Sequence, residues 1–154
     1  MTRPLYETEK NLQGEAAVAQ KLAHWINCKE DPSTSLDDLS EVVKTPPRAP
    51  YDYCVVKKGL IQLIVEIKVR KIPHNKFPTF MISLEKVATC SLHANVIGCP
   101  FYIVVQWTDK LGFWKFNQEQ YTAGIGGRED RNDPLDQEPV IYISIKDFVY
   151  SKGG

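Results

Sequence analysis

The chain has 154 residues, and its 19 Lys or Arg are balanced by 19 Asp or Glu, so the formal net charge is zero. At 43% hydrophobic and 25% charged residues it reads as an ordinary globular protein, one domain spanning residues 1–154, long enough to bury a proper core. Neutrality argues against a nucleic-acid binder held by net charge alone; no apolar run matches a bilayer and MTRPLYETEKN lacks a signal-peptide core, so the expectation is no membrane partner and a cytoplasmic location.

Glu9 to Asn27 is predicted to be a helix. Leu12, Ala19, Leu22 and Ile26 recur at helical spacing, and Thr8 is a candidate N-cap. Glu15 falls inside that apolar stripe, where an acid needs either a partner or a role. Cys28 to Ser35 reads as a loop. Leu36 to Lys44 is open between a short helix and a strand built on Val42-Val43. Pro46-Pro47 and Pro50 then impose an extended approach to Asp52.

Tyr51 to Arg70, YDYCVVKKGLIQLIVEIKVR, is the stretch around which the rest is organised. Tyr53 to Val56 reads as a short strand and Lys57-Lys58-Gly59 as a tight turn. Leu60 to Val69 is a long strand, rich enough in Ile, Val and Leu to be buried on both faces. Alternation places Gln62, Ile64, Glu66 and Lys68 on one face and Ile61, Leu63, Val65, Ile67 and Val69 on the other. Glu66 and Lys68 thus sit in a mostly apolar setting, where unpaired charges are costly. Folding the hairpin back brings Asp52 beside them. Two carboxylates and an amine at one sheet edge suit a divalent cation held by hard oxygen ligands. The plainer alternative is a buried Glu66–Lys68 ion pair with Asp52 as a turn residue.

Lys71 to Thr79 is a loop broken by Pro73 and Pro78, and Phe80 to Ile82 can add a short strand. Ser83 can cap a helix from Leu84 to Val96 that stops at Gly98, with Leu84, Val87, Ala88, Leu92 and Val96 as its core face. Lys86 lies in its first turn, where the dipole disfavours positive charge; that makes it a candidate for a phosphate or active-site contact. Phe101 to Trp107 is a nearly continuous apolar strand, and Phe113 to Phe116 its hairpin partner. Asn117 to Pro139, polar and punctuated by Gly124, Gly126 and Gly127, reads as a long loop. No strand leads into its glycines, so they are not a phosphate loop. Val140 to Ile145 is a final strand and Asp147 to Tyr150 a closing element.

Between Lys57 and Lys76 six Lys or Arg face a single acid, Glu66, which allows a basic patch on a neutral protein. The four cysteines form no C-x-x-C pair and read as small buried hydrophobes rather than zinc ligands or disulfides.

Asp52, thirteen intervening residues and then Glu66-Ile67-Lys68 resembles the signature of the PD-(D/E)XK nuclease superfamily. There the Asp opens one strand of a hairpin and the E-x-K lies on the next. The preceding helix, the following helix and the strand after it fit the superfamily order, so the likeness covers roughly Glu9 to Trp107. One departure is that the proline stands at Pro50, with Tyr51 between it and the acid.

The resemblance implies an α/β fold with a restriction endonuclease-like core, a mixed central sheet flanked by helices. It implies a Mg²⁺- or Mn²⁺-dependent nuclease cleaving phosphodiester bonds, with DNA favoured over RNA and endonucleolytic action favoured. Asp52 and Glu66 would hold the metal with the Ile67 carbonyl, and Glu15 could join them, since Gly14-Glu15-Ala16-Ala17-Val18-Ala19 looks like the form taken by the superfamily's first helix. Lys68 would position the attacking water. Arg70, Lys71 and Lys76, near the open end of the site, and Lys86 are the expected nucleic-acid contacts, and a homodimer is compatible with a symmetric duplex. The alternatives are a non-catalytic nucleic-acid- or protein-binding module on the same fold, and a structural protein whose Glu66–Lys68 pair fixes strand register.

Overall fold

In the computed structural model residues 9–27, 41–46, 49–127 and 137–151 are described. The order is helix α1 (Glu9–Asn27), strands β1 (Glu41–Lys44), β2 (Tyr53–Lys57), β3 (Leu60–Val69) and β4 (Thr79–Ser83), then helix α2 (Leu84–Ile97). Strands β5 (Phe101–Gln106), β6 (Leu111–Lys115), β7 (Tyr121–Gly127) and β8 (Gln137–Ser144) follow, then a 3-10 turn (Ile145–Asp147) and β9 (Val149–Tyr150). Six strands form one sheet in the order β1-β2-β3-β5-β6-β9, parallel at β3–β5 and antiparallel elsewhere. This is the expected mixed sheet flanked by two helices. A second, antiparallel sheet, β4-β8-β7, stands beside it.

The β2–β3 turn is tighter than expected. Lys57 pairs with Leu60 across it, leaving Lys58 and Gly59 as the two turn residues, at φ of 52° and 75°. Two positive φ values match the twist of a two-residue hairpin, and glycine supplies the second without strain. Register slips by one residue between Val55 and Val56.

Burial on both faces holds for the middle of β3. Ile64 joins the cluster beneath α2, with Val87, Cys90 and Ile103, while Val65 and Ile67 join Val18, Ala19 and Leu22 of α1. Leu60 to Gln62, at the hairpin tip, are exposed. The two helices therefore grip the half of β3 that carries Glu66, and they leave the other half in water.

Helix α2 is capped as its sequence predicts. The Ser83 hydroxyl accepts from the Lys86 amide, and Gly98 closes the helix in the left-handed region at φ 83°. Its buried face differs: Val87, Cys90 and Ala94 point inward, whereas Leu92 and Val96 are 62% and 79% exposed and Ala88 is exposed too. Several faces of this helix are apolar, so periodicity does not choose between them. The face with small Cys90 and Ala94 lets the helix approach the sheet and brings Lys86 to Glu66.

The predicted loop from Asn117 to Pro139 is in part a strand. β7 pairs with β8 along its whole length, from Tyr121 opposite Ile143 to Gly127 opposite Gln137. Its glycines are there for contact: a Cβ on Gly126 would stand 2.9 Å from both Met81 Sδ and the Tyr142 hydroxyl. A strand glycine of this kind permits close approach of neighbours, and its composition alone imitates a loop. Residues 128–136 of that stretch, Thr8 and Cys28 to Ser35 lie outside the described residues. Of Leu36 to Lys44, the described part is the strand β1.

Gly112 packs against the aromatic cluster of Trp107, Phe148 and Tyr150. A Cβ there would lie 2.8 Å from Trp107 Cζ3 and 3.2 Å from rings of the other two. Gly112→Ala is expected to destabilise by about 1–3 kcal/mol through overpacking, read as a lower denaturation midpoint at unchanged slope in urea. Among the described residues, no helix is long and apolar enough to cross a membrane.

Candidate active site

The corner that carries Asp52 is held from β1. The buried Thr45 donates its amide to the Asp52 carbonyl at 3.0 Å and its hydroxyl to the same oxygen at 2.8 Å, and also bonds the Tyr51 carbonyl. This orients the Asp52 side chain toward β3, where Oδ2 accepts from the Ile67 amide at 3.2 Å. The hairpin thus brings Asp52 to the Glu66–Lys68 half of β3, as the strand spacing predicts. Nothing in the sequence around Thr45 signals this positioning role.

Glu66 lies in the middle of the buried run at 1% exposure. Lys68 Nζ stands 3.3 Å from its Oε1, and Lys86 Nζ, arriving from α2, stands 3.5 Å from its Oε2. Oε2 is buried and makes no close hydrogen bond, its nearest partner being that Lys86 ammonium. Burial pushes the Glu66 carboxyl up to about 7, and Asp52 pushes in the same direction through its charge and a shared hydrogen bond; Lys68 and Lys86 oppose them. For Lys86, burial works to lower its affinity for a proton, but Glu66 and Asp52 outweigh it and the net shift is upward. Cys90 sits against the same group. Its Sγ donates to the Pro50 carbonyl at 3.2 Å, and burial together with Glu66 pushes the thiol up to about 12. It is a protonated wall of the site, in line with the reading of the cysteines as hydrophobes. Cys54 is likewise buried and free.

The two lysines that face Glu66, Lys68 and Lys86, are also walls of a cleft of about 530 Å³. Lys68, Arg70 and Lys86 line one side, and Met81, Glu138 and Val140 of the second sheet line the other. Ser83 reaches across to Glu138 at 3.4 Å. Sequence reasoning did not identify Glu138 as a cleft residue, because it lies in the stretch read as loop.

The expected cation contacts separate into three kinds. Lys86 is at the carboxylates rather than on an outer surface. Arg70 is half-buried, its guanidinium 5.1 Å from the centre of the Phe80 ring and lowered in pKa by burial, with its side chain lining the cleft. Lys71 and Lys76 are exposed, Lys76 with its Nζ 5.8 Å from the Phe77 ring. Lys58 marks the far tip of the hairpin.

Among the described residues Glu15 does not complete a three-carboxylate metal group with Asp52 and Glu66. Helix α1 covers the face of β3 that carries Val65 and Ile67, and Gly14 lies next to Val69, whereas Glu66 turns to the α2 face. Among the described residues no three His, Cys, Asp or Glu form a metal-binding group. The donors present are therefore two carboxylates and the backbone of Ile67. That set fits Mg²⁺, which typically keeps several waters and takes one or two carboxylates, and Glu66 Oε2 makes no close hydrogen bond, its nearest partner being the Lys86 ammonium at 3.5 Å.

No curated protein is similar enough in sequence to match the chain. Among solved structures, Hjc, a Holliday junction resolvase of the archaeal hyperthermophile Archaeoglobus fulgidus, superimposes with a TM-score of 0.44 at 14% identity, over 71% of this chain and 80% of that one. Over residues 1–150 the chain matches the family described as "Phage putative PDDEXK endonuclease". With hairpin, E-x-K strand and flanking helices in their expected order, the chain belongs to this phage family of PD-(D/E)XK nucleases.

Proposed function

We propose that the chain is a Mg²⁺- or Mn²⁺-dependent endonuclease acting on DNA, with Asp52, Glu66 and Lys68 as its catalytic residues. The observation that carries this is Glu66: a fully buried carboxylate beside a second one, with two lysines drawn to it. Asp52, Glu66 and the Ile67 carbonyl would hold the cation. When bound, it lowers the pKa of a coordinated water and offsets charge developing on the phosphate. Lys68, in contact with Glu66 yet partly exposed at the cleft, orients the attacking water and stabilises the phosphoryl oxygens. Lys86 balances the buried charge. Arg70 presents its guanidinium to the strand entering the cleft. DNA as substrate rests on analogy with the superfamily.

Supercoiled plasmid incubated with Mn²⁺ or Mg²⁺ tests the proposal. Nicked and linear product with either ion, and none in EDTA, is the expected result. Binding of DNA in EDTA without cleavage in any metal would leave a binding module as the better account.

The cations contribute unequally to binding. Lys71→Ala is expected to reduce the salt slope of DNA binding by about one unit, whereas Lys58→Ala at the hairpin tip leaves it unchanged. Fluorescence anisotropy across a salt series reads both; equal slopes for parent and Lys71→Ala would contradict this placement.

A further inference from the structure

Beside the catalytic cleft lies a second cavity of about 310 Å³, and Arg70 and Met81 belong to the walls of both. Its lining is largely apolar and includes the aromatic side chains of Phe77, Phe80, Trp107 and Tyr142. We propose that this cavity receives one unpaired nucleobase of the strand whose phosphate lies in the cleft, so that the enzyme acts on DNA with unpaired bases. The inference rests on the nuclease reading above and names the substrate class of that site.

Continuity is the first argument. A base hangs one sugar away from its phosphate, and the shared wall at Arg70 and Met81 is the short path from the cleft cations to the aromatic rings. The volume lies at the lower end of the range for small-ligand pockets, suited to one heterocycle and closed to a helical stack. Phe77 supplies the second argument. It is 55% exposed on the loop between Pro73 and Pro78, with the Lys76 ammonium 5.8 Å from its ring. An exposed aromatic next to a cation is the combination by which single strands are held: a face for the base and a charge for the backbone.

A polar handle completes the cavity. Asp109 grips His74 twice, accepting its amide at 2.8 Å and lying 2.7 Å from Nδ1. The carboxylate at Nδ1 fixes the orientation of a polar ring that is itself part of the cavity wall. An apolar peptide side chain would use the rings but neither this polar group nor the flanking Arg70 and Lys76. A base paired in duplex is stacked on both sides and must be unpaired to enter.

The test uses oligonucleotides carrying 2-aminopurine, either in a single-stranded gap or in continuous duplex, titrated with the protein in EDTA, with Mn²⁺-dependent cleavage of the same oligonucleotides measured separately. Fluorescence of the unpaired base should be quenched on binding, and duplex should bind more weakly. Phe77→Ala should weaken binding of the gapped DNA by about tenfold, the scale of one lost base–aromatic stack, and remove the quenching; duplex binding should be unchanged. Phe77→Trp should restore both, and because Phe77 is exposed neither variant threatens the fold. Cleavage of both DNAs with no fluorescence change, and with Phe77→Ala indistinguishable from the parent, would overturn the base pocket while leaving the nuclease standing. Neither binding nor cleavage of any oligonucleotide would overturn both.

Discussion

Lys68→Met should abolish metal-dependent cleavage, by about 10²–10⁴-fold or more, while Mn²⁺ binding stays measurable by calorimetry. The donors proposed for the ion are oxygens of Asp52, Glu66 and Ile67, none of which the substitution removes. What it does remove is the ammonium that borders both Glu66 and the cleft. Breaking a buried ion pair costs about 3–5 kcal/mol when the partner is stranded. Glu66 is not stranded here: Lys86 still faces its Oε2, and a carboxyl poised near neutrality can take up a proton instead. The stability loss should therefore fall short of that range. Asp52→Asn should act oppositely on the metal, weakening Mn²⁺ binding and relieving repulsion in the metal-free protein. A parent that binds no Mn²⁺, with Lys68→Met losing the full amount in a thermal melt, would identify Glu66–Lys68 as a structural pair only.

Glu66→Gln should make the metal-free protein more stable at pH 8 and should eliminate cleavage. The sign follows from the raised carboxyl. Folded, Glu66 titrates at about 7 against an ordinary 4.5, so between those values the native state holds a proton that the unfolded chain has released. Its contribution to stability is fully present below pH 4.5 and is lost as pH rises through 7. The difference amounts to about 3 kcal/mol, undiscounted for solvent because the side chain is 1% exposed. Glutamine keeps the shape and does not ionise. Urea denaturation of parent and variant in EDTA from pH 5 to 8 should show the parent falling behind as pH rises. A pH-independent gap between them would mean that Glu66 titrates normally. Adding Mn²⁺ at pH 8 should restore the parent and not the variant, since a ligand stabilises the state it binds.

The hairpin and its acids were legible because each rests on local rules. Alternation along β3 separates Glu66 and Lys68 from the Val65–Ile67 face, and a glycine turn leaves Asp52 only one place to go. What escaped depends on tertiary choices. Helix α2 has more apolar residues than it buries, so its rotation, and with it the approach of Lys86 to Glu66, is decided by the sheet surface it meets. β7 looks like loop because its glycines make room for Tyr142 and Met81, side chains that lie far away in sequence. Glu15 follows helical spacing as expected, yet α1 lies over the face of β3 that Glu66 does not use.

The parallel pairing of β3 with β5 also sets the order in which these groups can meet. Parallel neighbours need a long crossover, which here runs through β4 and α2 before β5 returns. The β2–β3 hairpin closes over two residues, and hairpins of this kind form within about 1–10 μs, whereas contacts distant in sequence wait on a larger loss of chain entropy. Asp52, Glu66 and Lys68 can thus be brought together before Lys86 arrives from α2. In that interval Lys68 alone offsets the two facing carboxylates, and Lys86 is added only when α2 docks.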